Sequence, residues 1–422
     1  MPIQSVINQP ASSSINAAYR PVELTVRATA NNGTPKPPVV YCDIYINSFF
    51  YKTLSKSQYT TLNATNSDWT FDIQDACQEY LRVFLATNGG NLILNAAPAA
   101  CGVNCLFRSS MINSNGFIES DGSEPIQATG NSSSVAGTGT SSNVFFVINS
   151  TLQHEDNQDL AAHLNAVKTG TWGAGYYPLT HRPARYKICR NDSDYFQVIA
   201  TTNALTISKL RLNYRFIGQT TYRQSVSNIV QTSGIVFYIP NGPKNLSALF
   251  PLVNLNDVDE YYIQGLDGNN AVLITSTVNE LSKCCEEDKI RIHFANYLGT
   301  IDAINFMLIT KEHNLKSSSW ERPLKAPLDK AVHSVLRSNV KSNNVFNVLS
   351  IDYNEAQMDW IEELFDSGMA WMEWKGTQGQ PDNYIPIIVT DKSIVTRKVD
   401  DRYIYEMQLE FILSHDKILI RN

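Results

Sequence analysis

Acidic and imidazole side chains that lie close together in a sequence are the first candidates for chemistry. One polar cluster could supply metal ligands or an acid–base pair, and it consists of His154, Glu155, Asp156, Asp159 and His163. The alternative is a solvated loop or helix face ahead of the apolar segment 160–162. The sequence favours this second interpretation.

The cysteines offer a second kind of candidate. Cys101 and Cys105 have a C-x3-C spacing that can ligate zinc, but a second pair is missing nearby, and Cys284 and Cys285 lie far along the chain. The total of seven is odd and the spacing irregular, which argues against a disulfide framework. We expect reduced, buried thiols, as in a protein folded in a cytoplasm.

Adjacent carboxylates stand at Glu286, Glu287 and Asp288. Two carboxylates can hydrolyse a glycoside, but only at a defined separation in a cleft, and a charged turn before a strand explains them equally well. The chain has no P-loop, no HExxH, no nucleophile elbow and no dinucleotide-binding glycine fingerprint. The sequence therefore predicts no catalytic, cofactor-binding or metal-binding residue, and no enzyme.

Aromatic side chains near predicted loops and edges are better candidates for binding. They could stack on sugars or anchor a partner subunit, and subunit contacts are the favoured interpretation. The candidate interface aromatics are Trp172, Tyr176, Tyr177, Trp320 and Trp371.

Composition limits the class of protein. A chain of 422 residues exceeds the usual size of one core, so we expect roughly two to four domains. The net charge of −6 argues against broad binding to nucleic acid. The N-terminus does not resemble a signal peptide, and no run of about 18 apolar residues predicts a membrane span.

Periodicity predicts a mainly β protein with minor α, built from several small antiparallel β-sandwich-like domains plus a C-terminal α+β domain. Alternation is clear from Val40 to Ile46 and at 403–411, and a strand is expected at Ile304–Ile309. Helical spacing predicts a helix at 355–365. No internal repeat is evident. The expected organisation is an N-terminal arm (1–20), a small β-sandwich-like domain (21–86), a loop-rich insertion (87–143), a central antiparallel β domain (144–314), a connector (315–345) and the C-terminal domain (346–422).

Three stretches resemble virion proteins of phages that infect Bacteroidetes, the crAss-like or related tailed phages. The first comprises Val40–Ile46 and the later segment 71–81, and the third is the C-terminal unit. The second is a strand–turn–strand signature with Asn296, Gly299, Asp302 and Phe306 at the matching places. Glycine permits positive φ, and Asn and Asp side chains bond turn backbone, so a structural turn motif is expected there.

The resemblance implies a structural component of the tail or of the head-to-tail connector, as a ring, adaptor or hub subunit. It implies a homo-oligomeric ring with other virion proteins as partners. Because arms and long loops commonly supply the contacts of a ring, the polar arm 1–20 and the loop 121–143 are the expected contact segments. The virion would be its location, after assembly in the host cytoplasm. DNA could pass through the ring without sequence-specific contact. The alternative function is a tail-tip or fibre-base protein that binds glycan or protein on the host surface.

Overall fold

The computed structural model describes most of the chain. The described residues are 5–29, 39–57, 61–62, 66–86, 93–96, 99–112, 118–120, 140–152, 160–201, 207–229, 234–282, 289–321, 335–350, 355–374, 383–399, 402–414 and 417–418. The predicted fold class is confirmed, because strands dominate and the described helices are few and short.

The N-terminal part is a sandwich of two sheets. One sheet contains β1 (Ser5–Asn8), β3 (Glu23–Thr29), β7 (Asn66–Asp72) and β6 (Thr61–Leu62), in that order. The other contains β2 (Ile15–Ala17), β12 (Phe145–Ile148), β9 (Ala100–Ile112), β4 (Val40–Ile46) and β5 (Phe49–Lys56), with β10 (Ile118–Ser120) and β11 (Thr140–Ser141) also on β9.

Alternation explains the core of this sandwich. Val40, Cys42, Ile44 and Ile46 of β4 are buried and pack with residues of β3, β7, β9 and β12. Asp43, which points the other way, is paired with Arg108 of β9 across the strand pair. Burying one face while ion-pairing the other fixes the register of β4 against β9.

The structure differs from two of the predicted N-terminal units. Residues 5–8 and 15–17 of the expected arm are strands that pair with β3 and β12 of the same chain. Residues 100–112 of the expected loop-rich insertion form β9, whose neighbours are β4 and β12. Strands β1 and β2 are too short to show a pattern of their own. Strand β9 is defined by its pairing with β4 and β12, which are distant in the sequence. The expected contact loop 121–143 lies mostly outside the described residues.

The central part also contains two sheets. One contains β13 (Tyr176–Pro178), β15 (Tyr195–Ala200), β18 (Val236–Pro240) and β8 (Leu94–Asn95). The other contains β14 (Arg185–Cys189), β21 (Val278–Ser282), β19 (Val258–Leu266), β16 (Lys209–Phe216) and β17 (Arg223–Asn228), with β20 (Val272–Thr275) also on β19. The helices of the described chain are α1 (Gln74–Tyr80), α2 (Leu160–Ala166), α3 (Pro243–Leu249) and α4 (Glu355–Asp366), with a 3-10 turn at Leu255–Asp257.

The C-terminal part is a closed antiparallel barrel. Its strands are β22 (Lys289–Ala295), β23 (Ile301–Glu321), β24 (Val335–Leu349), β27 (Arg402–Leu413), β26 (Asn383–Val399) and β25 (Ala370–Trp374), in order around the barrel, and β28 (Lys417–Ile418) also pairs with β24. Pairing of β25 with β22 closes the circle. Helix α4 buries Met358, Ile361 and Leu364, one face at helical spacing, in the shared core.

The barrel is an internal repeat of two three-stranded meanders, β22–β24 and β25–β27. In the first, Ile292 lies opposite Ile304, and in the second Met372 lies opposite Ile385. The second hairpin of each carries a register shift at the same place, after Leu308 and after Val389. The repeat was not evident in the sequence because it consists of register and topology rather than matching residues.

The predicted boundaries at 144, 314 and 345 also differ from the structure, because the strands near them pair with distant parts of the chain. Strand β12 belongs to the N-terminal sandwich, and β22 and the start of β23 belong to the barrel. The described parts of the expected connector, 315–321 and 335–345, belong to β23 and β24, which pair with each other. The predicted strand Ile304–Ile309 is thus the inner part of a strand that continues to Glu321.

Candidate functional site

The most prominent surface feature is the long hairpin formed by β23 and β24. Strand β23 pairs with β22 only as far as Met307 but with β24 as far as Glu321. At about 3.3 Å per residue, residues 308–321 carry the strand roughly 45 Å further. Strands β27 and β28 accompany β24 only to Lys341, so the distal pairs of the described hairpin form a two-stranded ribbon.

Apolar side chains are exposed along this hairpin. The exposed fractions are 48% for Ile309, 50% for Leu315, 56% for Trp320 and 50% for Val335. Trp320 and Val335 lie on the two-stranded ribbon itself, and a two-stranded ribbon is only marginally stable alone in water. The ribbon is therefore a part of the described surface that would be stabilised by a partner.

The equivalent hairpin, β26 and β27, repeats this arrangement. Strand β26 pairs with β25 only as far as Ile387 but with β27 as far as Val399. Within the described chain, the outer edges of β23 beyond Met307 and of β26 beyond Ile387 have no neighbouring strand. Their backbone N–H and C=O groups are suited to pairing with another strand.

The turn motif predicted at 296–306 lies inside the molecule. Asn296 Oδ1 accepts hydrogen bonds from the backbone N–H groups of Leu298 (3.1 Å) and Thr300 (3.0 Å). Gly299 has φ of +80°, and a Cβ placed on it would lie 2.3 Å from the carbonyl oxygen of Asn149. The turn between β22 and β23 therefore packs directly against the chain that leaves the N-terminal sandwich.

Asp302 joins this turn to two other elements. Its Oδ2 accepts hydrogen bonds from Thr180 Oγ1 (2.7 Å) and from Trp360 Nε1 (3.0 Å), and Arg182 Nε lies 2.8 Å from Oδ1. Phe306 is buried in the core. These motif residues hold the barrel, α4 and the central sheets together, and they are not on an interface surface.

A buried network of charges continues from Arg182. Its guanidinium is paired with Asp194, which also accepts from Arg291 Nη2 at 3.0 Å. Arg291 Nη1 contacts Asp192 at 3.0 Å, and Lys289 pairs with Asp192 as well. Burial alone would raise the pKa of both aspartates, but the neighbouring cations more than offset it, so each pKa lies below its ordinary value.

A second buried polar chain involves two imidazoles. His181 Nδ1 is 2.5 Å from Glu363 Oε1 of α4, and His181 Nε2 is 2.6 Å from His163 Nε2 of α2. Burial acts to lower the pKa of His181, but the hydrogen bond and charge of Glu363 outweigh it and the pKa is raised. His163 was one member of the polar cluster in the sequence, and the other four members lie outside the described residues.

The candidate interface aromatics are dispersed. Trp320 is exposed on the ribbon, whereas Tyr176 is fully buried on β13, so the prediction for Tyr176 is wrong. Trp172 is half-buried against Phe196, with its Nε1 donating to the carbonyl of Thr169. The Lys168 ammonium lies 4.0 Å from the centre of the Tyr177 ring. Trp371 is half-buried on β25.

The thiol candidates are buried apolar groups. Cys101 and Cys105 lie in the sandwich core with Cys42 and Cys77, and all four are free thiols. Burial raises the pKa of Cys101 to about 12. Cys284, Cys285 and the carboxylates 286–288 lie outside the described residues. Within the part of the chain that the structure describes, no three metal-binding side chains converge, and no helix has the length and apolar character to span a membrane.

Sequence reasoning missed the ribbon, the charge network and the imidazole pair. A weak signal for the ribbon was available, because Lys311–Ser319 is too polar for a core strand yet contains neither Gly nor Pro. The other two join residues up to 182 positions apart, as for His181 and Glu363. One sequence contains no signal for contacts of that kind.

Comparison with known proteins identifies no family. No family model matches the chain, and no curated protein matches it. Among solved structures, a marsupial T cell receptor aligns over 96% of this chain and 93% of that chain, with 8% identity and a TM-score of 0.17. A likeness this low carries no argument about fold or function.

Proposed function

We propose that this chain is a structural subunit that assembles with further copies of itself into a ring in the tail or head-to-tail connector of a tailed bacteriophage. The observation that carries the proposal is the β23–β24 hairpin, which extends beyond the barrel and exposes Leu315, Trp320 and Val335. The resemblance of three stretches to virion proteins supports the assignment of the chain to a phage particle. The extended hairpin supports assembly with further copies.

A ring of more than two copies requires a heterologous contact, in which two different surfaces of the subunit fit each other and the rotation from copy to copy closes the circle. The edges of β23 and β26 are two such surfaces on one subunit. Strand addition between the β23 edge of one copy and the β26 edge of the next would satisfy the backbone groups of both. Native proteins protect unwanted edges with charges and bulges, and both hairpins have a bulge. The exposed apolar side chains of the ribbon favour an edge that binds a partner over an edge that is only protected against unwanted pairing.

The test is the mass of the purified chain in solution and its appearance by electron microscopy. The wild type is expected to form closed rings, alone or on phage particles. A matched variant replaces residues 315–342 with Asn-Gly, so that the pair Asn314 and Asn343 flanks a two-residue turn. It should fold and remain monomeric, because the described residues that it removes, 315–321 and 335–342, lie beyond the part of β23 that pairs with β22.

A wild type that stays monomeric at high concentration and lies outside the rings of the particle would contradict the proposal. A position on peripheral fibres would instead favour the alternative of host-surface binding. Equal assembly by wild type and shortened variant would mean that the ribbon is not the contact.

A further inference from the structure

The imidazole pair of His163 and His181 has no part in the proposed ring contact. The two Nε2 atoms point at each other across 2.6 Å, and the ring planes are nearly perpendicular at 83°. Two of the seven histidines of the chain thus direct the same ring nitrogen to one point. One comes from α2, and the other from the segment between β13 and β14.

Glu363 fixes the proton position on one of these rings. Its carboxylate lies 2.5 Å from His181 Nδ1, so Nδ1 carries the proton and the neutral ring presents a lone pair at Nε2. Glu363 is itself held, because its Oε2 accepts a hydrogen bond from the backbone N–H of Tyr297 at 2.9 Å. A carboxylate behind the outer nitrogen of a histidine is the arrangement that orients metal-ligating imidazoles.

We propose that His163 and His181 bind a divalent transition-metal ion, Zn²⁺ in the first place, between their Nε2 atoms, with Glu363 as the residue that positions His181. Zinc–nitrogen bonds of about 2.0–2.1 Å at a tetrahedral angle place two ligand atoms about 3.4 Å apart. The rings must therefore separate by less than about 1 Å. His163 is half-buried on the seven-residue helix α2. Metal binding also moves the proton of His163 Nε2, which is donated to the His181 lone pair in the hydrogen bond, to Nδ1 or to solvent.

Water completes the coordination. No third protein donor of the described chain converges on the point. The His181 side chain is 17% exposed, so solvent reaches the site. Imidazole donors favour borderline ions such as Zn²⁺, Ni²⁺ or Cu²⁺ over Ca²⁺ or Mg²⁺, which take oxygen ligands. With two protein ligands, affinity is expected to be moderate, and the ion would link α2 to α4 through His181.

The experiment is calorimetric titration of the full chain with Zn²⁺ after removal of metal by chelation, together with the visible spectrum of the Co²⁺-loaded protein. The variants are His163→Gln, His181→Gln and Glu363→Gln, and the matched control is His313→Gln. His313 is exposed on the β23–β24 hairpin, where its Nδ1 is hydrogen-bonded to Asn344 Oδ1. We expect one Zn²⁺ per chain, binding lost in the two ligand variants, affinity about 10-fold weaker in Glu363→Gln, and binding unchanged in the control.

Two results would overturn the proposal. One is the absence of saturable binding to the wild type, which would leave the pair as a hydrogen bond only. The other is retention of the bound ion in both ligand variants. If His181→Gln fails to fold, the Co²⁺ spectrum of the wild type and of His163→Gln decides alone, since nitrogen ligation must be present in the first and weakened in the second. The oligomeric state has no bearing on either result.

Discussion

Arg182 and Asp194 form an ion pair in the interior of the protein, with Nη1 2.5 Å from Oδ2 and Nη2 3.0 Å from Oδ1. The two side chains are 0% and 2% exposed. Asp194→Asn would leave Arg182 and Arg291 without their shared counter-charge. We expect a loss of about 3–5 kcal/mol in the free energy of unfolding, measured by denaturant titration.

The control for this variant is an ion pair of the same kind on the surface. Arg215 Nη2 is 2.8 Å from Asp259 Oδ2, and these side chains are 27% and 49% exposed. Asp259→Asn should cost about 0–1 kcal/mol, because solvent screens exposed pairs. Similar losses in the two variants would show that burial does not determine the strength of the interior pair.

Acid should destabilise the protein through the same network. The pKa values of Asp192 and Asp194 lie below their ordinary value of 3.8 in the folded chain. The unfolded chain therefore takes up protons first as the pH falls. Their contribution to stability is complete above the ordinary pKa and is lost as the pH falls through the lower, folded values.

We expect the free energy of unfolding to decrease steeply below about pH 4. In Asp194→Asn the decrease should be shallower, since one of the two carboxylates no longer titrates. Urea titrations at a series of pH values measure both slopes. Parallel curves for wild type and variant would refute the assignment of acid sensitivity to this pair.

Gly299 should be intolerant of any side chain. A φ of +80° would strain any other residue at this position by about 1–2 kcal/mol. The added Cβ would also lie 2.3 Å from the Asn149 carbonyl oxygen. Gly218 provides a matched control, because its φ is +76° and a Cβ there would have no atom within 4 Å. Gly299→Ala should cost about 1–3 kcal/mol more than Gly218→Ala in thermal or denaturant unfolding. Equal costs would mean that the contact with Asn149 relaxes freely.

Local patterns were sufficient to predict elements whose core is formed locally. The helix expected at 355–365 is α4, Glu355–Asp366, because Met358, Ile361 and Leu364 have the spacing of one buried face. The alternation from Val40 to Ile46 is β4. In both cases the residues that define the element are also those that contact the core.

Elements defined by distant partners could not be predicted. Residues 15–17 form a strand only because β12, about 130 positions away, lies beside them in parallel. The barrel closes through the pair of β22 with β25, and neither strand encodes its neighbour. The same limit applies to the imidazole pair, where His181 was not a candidate until its ring was placed beside His163.

Trp320 should act in assembly and contribute little to folding. Its side chain is 56% exposed on the ribbon, so Trp320→Lys removes little buried apolar surface and should leave the melting temperature within about 2 °C of wild type. A charge in a desolvated subunit contact is costly, and we expect the concentration for half-assembly to rise at least about 10-fold. Leu252→Lys is the control, because Leu252 is 98% exposed on the turn that follows α3 and is not part of the hairpin. Mass photometry over a concentration series compares the variants, and equal assembly of Trp320→Lys and Leu252→Lys would exclude Trp320 from the contact.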